Sequence, residues 1–174
     1  MKSHLLTSLR LTFIALVIFG VAYPVTITVL AKFIGPNDGK GDMGLIGQSF
    51  TSDRYFNSRP SAVDYNAAAT GGSNKGPSNP EYLAQVEQRI NDFLKHNPTV
   101  KRGDVPVDLV TASGGGLDPH ISPKAALVQV NRVAQARRLS TADVNSLVKE
   151  HIEKPLLGPS YVDVLKLNQA LDQL

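Results

Sequence analysis

Cysteine is absent from this chain of 174 residues, which excludes a disulfide framework and any thiolate metal site. The compartment stays open, because a chain without thiols suits either side of a membrane. Net charge is scarce as well. Lys and Arg number 18 against 15 Asp and Glu, a balance of +3 that is too small and too scattered for nucleic-acid binding. The four histidines, His4, His96, His120 and His151, are isolated in sequence, whereas zinc needs several ligands on converging elements. Complete catalytic signatures are missing too. No G-x-S-x-G elbow occurs, and the glycine-rich stretch GGSNKGPS (71–78) has Pro77 after Gly76 where a phosphate-binding loop needs Lys. Its backbone amides, with Lys75 nearby, could hold an anion at the next helix start, but a structural turn is the simpler expectation. Ser146 and Lys149 have S-x-x-K spacing, which puts both on one helix face, yet the companion Ser-Asp-Asn and Lys-Thr-Gly motifs are absent. No internal repeat is visible.

What is present begins with LTFIALVIFGVAYPVTITVLA, residues 11–31, a run of 21 residues without a charge. As a helix it covers roughly 30 Å, the hydrocarbon thickness of a bilayer. Val29-Leu30-Ala31 has the small-residue character of a signal-peptidase site. The run nevertheless exceeds the usual signal core of about 7 to 15 residues, so a retained anchor is expected. Pro24 is tolerated in a span and can kink it, while Ala15, Gly20 and Ala22 are small enough for another helix to approach closely. Lys2 and Arg10 precede the run and Lys32 and Lys40 follow it, so the positive-inside count does not orient it. GPNDGKGDMG (35–44) reads as a linker, and a domain with its own core follows from Leu45.

In that domain, Leu83, Val86, Ile90, Phe93 and Leu94 form one helical stripe over residues 82–97. Either Asn79 caps this helix with Pro80 at its first position, or Ser78 pairs with Glu81 in a capping box. VPVDLVT (105–111) alternates and is the best strand candidate, with Pro106 marking an edge. Ser122-Pro123 opens a second helix with Leu127, Val130, Val133 and Ala134 inward, ending at Arg137 and Arg138. A third helix starts at STAD (140–143) and buries Val144, Leu147, Val148 and Ile152. The last segment, 161–174, reads as a short strand turning into a helix packed through Leu167, Leu171 and Leu174. Arg132, Arg137 and Arg138 are expected on a solvated face.

The stretch TASGGGLDPHISPKAA (111–126) collects turn residues, an acid and a histidine. Asp118 and His120 could form an acid/base pair, but residues two apart in an extended turn usually point apart. The alternative is that Asp118 caps a turn and His120 bonds a backbone carbonyl, locking the helix that begins at Ser122.

SRPSA (58–62), YN (65–66), GGSNKGPSNP (71–80), DLVTASGGGLDPHISPKAALVQVNRVA (108–134) and LVKEH (147–151) together resemble the C-subunit family of the bacterial Kdp-type potassium-transporting P-type ATPase. The resemblance covers nearly the whole chain, including the N-terminal span. It implies a single transmembrane helix plus a compact α+β extracytoplasmic domain, mainly helical with a few short strands. The implied layout is a cytoplasmic tail (1–10), a span (11–34), a linker (35–44) and an external domain (45–174), in the plasma membrane. It implies a non-catalytic subunit, ATP and potassium being handled by the complex; whether nucleotide binds this subunit directly stays open. The implied partners are a channel-like potassium-translocating subunit, an ATP-hydrolysing subunit, a very small fourth membrane protein and the lipid bilayer. A chaperone-like effect on ATP binding by the catalytic subunit is also implied. The candidate interface or loop-shaping residues are Arg59, Pro60, Ser73, Asn74, Gly114, Gly115, Gly116, Asp118, His120 and Ser122, with Ala15, Gly20, Ala22 and Pro24 as the helix-packing set. Two other functions fit the residues: an anchored hydrolase using Ser146 and Lys149 or Asp118 and His120, and an external ion-binding module using carbonyls and Asp118.

Overall fold

The computed structural model describes residues 2–34 and 43–174. The stretch 35–42, most of the expected linker, lies outside the described residues. Two compact units result, Met1–Met43 and Gly44–Leu174.

In the first unit, residues 2–34 are helical: α1 (Lys2–Val17), a π-turn (Ile18–Ala22) and α2 (Tyr23–Ile34). The stretch His4–Ile34 is long and apolar enough to cross a membrane. Pro24 explains the π-turn. It has no N–H to give the preceding turn, and its ring crowds the carbonyl four residues back. Widening the turn accommodates the ring, and the Tyr23 N–H reaches the Ile18 carbonyl, five residues back. The Thr28 hydroxyl donates to the Pro24 carbonyl at 2.7 Å, satisfying a polar group within an apolar segment.

The second unit is mostly helical. Helix α3 (Pro80–His96) starts where Asn79 accepts from the Tyr82 N–H, with Pro80 in the first turn, so the asparagine cap is the one used. Strand β1 (His120–Ile121) leads through the Ser122 cap into α4 (Pro123–Leu127), followed by α5 (Val130–Arg137) and α6 (Thr141–Glu150). Strands β2 (Ile152–Glu153) and β3 (Tyr161–Asp163) precede α7 (Val164–Leu171). The sheet is antiparallel in the order β1-β3-β2, pairing His120 with Asp163 and Glu153 with Tyr161. Asp163 ends β3 by capping α7, accepting from the Lys166 N–H at 3.1 Å.

Phe56, Val133, Val144, Val148, Val162, Val164, Leu167 and Leu171 are fully buried, with Ala125, Ala126 and Ala134 filling the close approaches between helices. Each large side chain contributes about 1.5–3 kcal/mol of hydrophobic stabilisation. Phe56 belongs to no helix or strand. Asn168 holds its segment as a strand neighbour would, accepting from the Phe56 N–H at 2.9 Å and donating to its carbonyl at 3.0 Å.

Several expectations are corrected. Residues 105–111 are not a strand: 3-10 turns occupy Arg102–Asp104 and Val107–Leu109. The Val107 carbonyl accepts from the Val110 and Thr111 N–H groups and the Thr111 hydroxyl, closing a helical turn. The helix expected from Ser122 to Arg137 breaks between α4 and α5 because the Gln129 side chain takes the Ala125 carbonyl at 3.0 Å. The Gln129 N–H is thereby moved to the Ala126 carbonyl. Ile152 lies in β2 rather than in the third helix, and Leu83 and Leu174 are exposed at 51% and 61%.

Arg132 and Arg137 are not a solvated face. Arg132 is 6% exposed and forks to the Asn97, Asn57 and Gln129 side chains and to the Asp53 and Tyr55 carbonyls. Arg137 bonds Asp172 and the Arg54 and Leu171 carbonyls while lying over the Tyr55 ring. Arg138 alone is exposed, ending α5 in the left-handed conformation at φ 62°.

Candidate functional site

The first strand and the glycine loop before it converge on Asp118. Its Oδ1 accepts from the His120 N–H and faces His120 Nδ1, both at 3.0 Å, while its Oδ2 lies 3.3 Å from Arg59 Nη1. The pair expected to diverge is therefore brought together, because the turn folds the carboxylate back over the residue two positions on. A carboxylate only accepts, so His120 Nδ1 carries the proton. On its other side the His120 ring packs against Tyr161, centroids 4.4 Å apart and planes at 60°. Arg59 Nη2 approaches the Ala112 carbonyl at 3.5 Å, and its Nε is buried without a hydrogen-bond partner.

Tyr161 extends the network. Cross-strand register places it opposite Glu153, to which its hydroxyl donates at 2.8 Å; Lys166 Nζ lies 3.5 Å from both Glu153 and Asp163. The Tyr161 hydrogen bond holds the Glu153 carboxyl below its ordinary value, and the same bond raises the Tyr161 phenol. Asp163 and Glu153 together raise Lys166.

Of the three adjacent glycines, only Gly116 requires its residue type. It has φ +70°, and a Cβ there would meet Val63 Cγ2 at 2.8 Å and the Gly71 carbonyl oxygen at 2.9 Å. Gly114 and Gly115 have open space and no positive φ. The expectation of unusual backbone angles thus narrows to one position. Ser61 fastens this turn: its hydroxyl donates to the Gly116 carbonyl at 2.6 Å and accepts from the Val63 and Tyr65 N–H groups. The Tyr65 hydroxyl donates to the Arg59 carbonyl. Pro60, half-buried between Arg59 and Ser61, lies within this fastening. In the 71–78 loop, the Gly71 N–H donates to the Gly115 carbonyl, Ser73 is half-buried, and Asn74 is exposed with φ 51°. Lys75 pairs with Glu81 at 3.2 Å.

Two depressions flank the Arg59–Asp118–His120 cluster. One, about 570 Å³, runs along Ser113, Gly114, Gly115 and Leu117. The other, about 470 Å³, lies between Asp108, Ser122 and Tyr161 on one side and Pro155, Leu157 and Pro159 on the other. Ser122 caps α4 and its N–H donates to Asp108 at 2.6 Å. Ser146 and Lys149 are both exposed on α6. Among the described residues no group of three or more His, Cys, Asp or Glu side chains converges as a metal site.

A family model described as "K+-transporting ATPase, c chain" matches residues 5–173, nearly the whole chain. The chain belongs to the KdpC family. A potassium-transporting ATPase KdpC subunit of Flavobacterium johnsoniae is 51% identical over 181 residues, covering 98% of each chain. The corresponding subunit of Flavobacterium psychrophilum is 52% identical over 182 residues with the same coverage. That of Caldanaerobacter subterraneus is 44% identical over 184 residues, covering 98% of this chain and 95% of its own. Each of these alignments spans both the apolar helix and the domain.

Tyr161, Glu153, Lys166 and Asp108 escaped the sequence reading. The strand around Tyr161 was legible, but the register that sets it against Glu153 was not. Asp108 sat in a segment read as a strand, where an acid looks like a solvent-facing position.

Proposed function

We propose that this chain is a non-catalytic accessory subunit of an ATP-driven, high-affinity potassium uptake pump. The observation that carries the reading is the near end-to-end relation to potassium-transporting ATPase KdpC subunits at about half identity. The anchor is single-pass. Residues 1–10 face the cytoplasm, 11–34 span the plasma membrane, and the domain from residue 45 lies outside. The pump's partners are a channel-like potassium-translocating subunit, an ATP-hydrolysing P-type subunit and a very small fourth membrane subunit. ATP is hydrolysed on the second of these.

In the membrane, Ala15, Gly20 and Ala22 are the positions where a partner helix packs, and the widened turn before Pro24 shapes that contact. Outside, Arg59, Asp118 and His120 are held by the Gly116 turn as a preformed surface, with Pro60, Ser73, Asn74, Gly114, Gly115 and Ser122 shaping or bordering it. An external domain does not touch cytoplasmic nucleotide. Its chaperone-like effect on ATP binding therefore acts by stabilising one conformational state of the assembled pump more than another. A tenfold gain in ATP affinity requires a differential of only about 1.4 kcal/mol.

The test is recovery of the tagged full-length chain from mild-detergent membranes, with potassium-stimulated ATPase activity assayed on the eluate. Recovery of a P-type ATPase and a channel-like subunit, with activity lost on depletion of this chain, is expected. A pump that keeps normal subunit content and potassium-stimulated activity without this chain overturns the reading. Unchanged assembly, stability and transport in the Asp118→Asn/His120→Ala double variant removes the role given to that surface.

A further inference from the structure

The depression beside Tyr161 has two unlike walls. Pro155, Leu157 and Pro159 form the apolar one, and the polar one holds Arg59, Asp108 and Asp118. Leu156 and Leu157 are 99% and 87% exposed. Pro155 and Pro159 bracket them and fix φ on either side, and Gly158 turns the chain at φ +104°. Two wet leucines on a proline-bracketed loop present apolar area at little ordering cost, which is the property of a docking element.

Charge states what docks. The lining carries one guanidinium and two carboxylates. Arg59 is paired with Asp118. Asp108 accepts from the N–H and, more weakly, the hydroxyl of Ser122, and no Lys or Arg pairs with it among the described residues. The pocket therefore has an uncompensated negative charge beneath an apolar rim. A phospholipid head would bring its phosphate against the two carboxylates. A small ammonium ion would leave the rim leucines in water. A basic side chain flanked by apolar residues satisfies both walls.

Resting on the accessory-subunit reading, we infer that this pocket is a docking site for an apolar polypeptide segment of another subunit. That segment inserts one Lys or Arg toward Asp108 and covers Leu156 and Leu157.

The experiment uses the full-length tagged chain in native membranes. A photoreactive benzophenone amino acid at position 157 maps the neighbour, and carbodiimide coupling joins Asp108 to any contacting lysine. The expected product links position 157 to a peptide of another subunit that contains Lys or Arg with apolar neighbours. Asp108→Asn, which keeps an acceptor for the Ser122 N–H, shortens the lifetime of the detergent-solubilised complex about tenfold and flattens its salt dependence. Leu157→Ser, made at a side chain outside the core, shortens it as well while leaving thermal unfolding of the chain unchanged. An intact complex whose position-157 cross-links fall on lipid, on a second copy of this chain or on a segment without a basic residue overturns this inference alone. So do two variants with wild-type lifetimes. A chain recovered without any other subunit overturns the accessory-subunit reading and the inference with it.

Discussion

Replacing Arg132 by Met removes every donor from the fork that ties three separate parts of the domain together. Its Nε bonds Asn97 Oδ1 at 3.1 Å, its Nη1 the Asp53 and Tyr55 carbonyls at 2.8 and 3.0 Å, and its Nη2 Asn57 Oδ1 and Gln129 Oε1 at 2.9 and 2.6 Å. These join the 53–57 segment, the end of α3 and the start of α5. Asn97 is 2% exposed, so water does not replace the donor its Oδ1 loses, and that orphaned acceptor costs about 1–3 kcal/mol, while Gln129 Oε1 keeps the Asn57 N–H at 2.8 Å. The acceptors of the more exposed 53–57 segment are rehydrated at smaller cost. An offset comes from the guanidinium itself, whose burial disfavours its charged form and lowers its pKa, with Asp53 acting in the opposite direction. The net expectation is a loss of about 2–4 kcal/mol, or roughly 8–16 °C for a domain of this size. Arg132→Lys keeps the charge but cannot fork to five acceptors, and falls between wild type and Met. The chain contains no tryptophan, so near-ultraviolet circular dichroism of the tyrosines in mild detergent is the assay. A Met variant within about 1 kcal/mol of wild type would refute the argument, because those acceptors would then have found other donors at no cost.

Gly116→Ala is expected to destabilise the domain by about 2–4 kcal/mol, from the left-handed backbone and the contacts its Cβ would make. Gly114→Ala and Gly115→Ala stay within about 0.5 kcal/mol, and urea midpoints separate the two cases. Glu153 has a depressed folded pKa, so its contribution is present above its ordinary value of 4.5 and lost as pH falls through the folded value. Tyr161→Phe removes the responsible hydrogen bond and should flatten the acid limb of stability against pH. Burial pushes the Tyr65 phenol up, so its contribution is complete below 10.0 and disappears as pH rises through the folded value. Tyr65→Phe removes its share of the alkaline loss and leaves that of the raised Tyr161 and Lys166, as measured by unfolding at stepped pH.

Signals confined to neighbouring residues were legible. The apolar run, the Asn79-Pro80 start of α3, the Ser122-Pro123 cap and the strand-to-helix change after Tyr161 each depend on contacts within a few positions. The alternation in 105–111 misled because a strand needs a partner edge, and Pro106 and the Val107 carbonyl instead close a helical turn. Gln129 was silent for a similar reason: its pattern is helical, while its side chain competes for the bond that would have continued the helix. At the candidate site, Asp118, His120 and Arg59 were singled out, but their mutual distances were not legible.

Composition and local order alone were enough to establish a membrane-length helix and a separate mainly helical domain, and the motif blocks carried the resemblance to the family. These follow from hydrophobic periodicity, capping chemistry and ordered motif blocks, all written along the chain. Long-range folding assigned the roles of individual polar residues. Arg132 became a brace because Asp53, Asn57, Asn97 and Gln129 converge on it, and Tyr161 joined the site because antiparallel register set it against Glu153. A charged side chain looks alike in sequence whether it faces water or five acceptors, since burial and partners depend on segments tens of residues away.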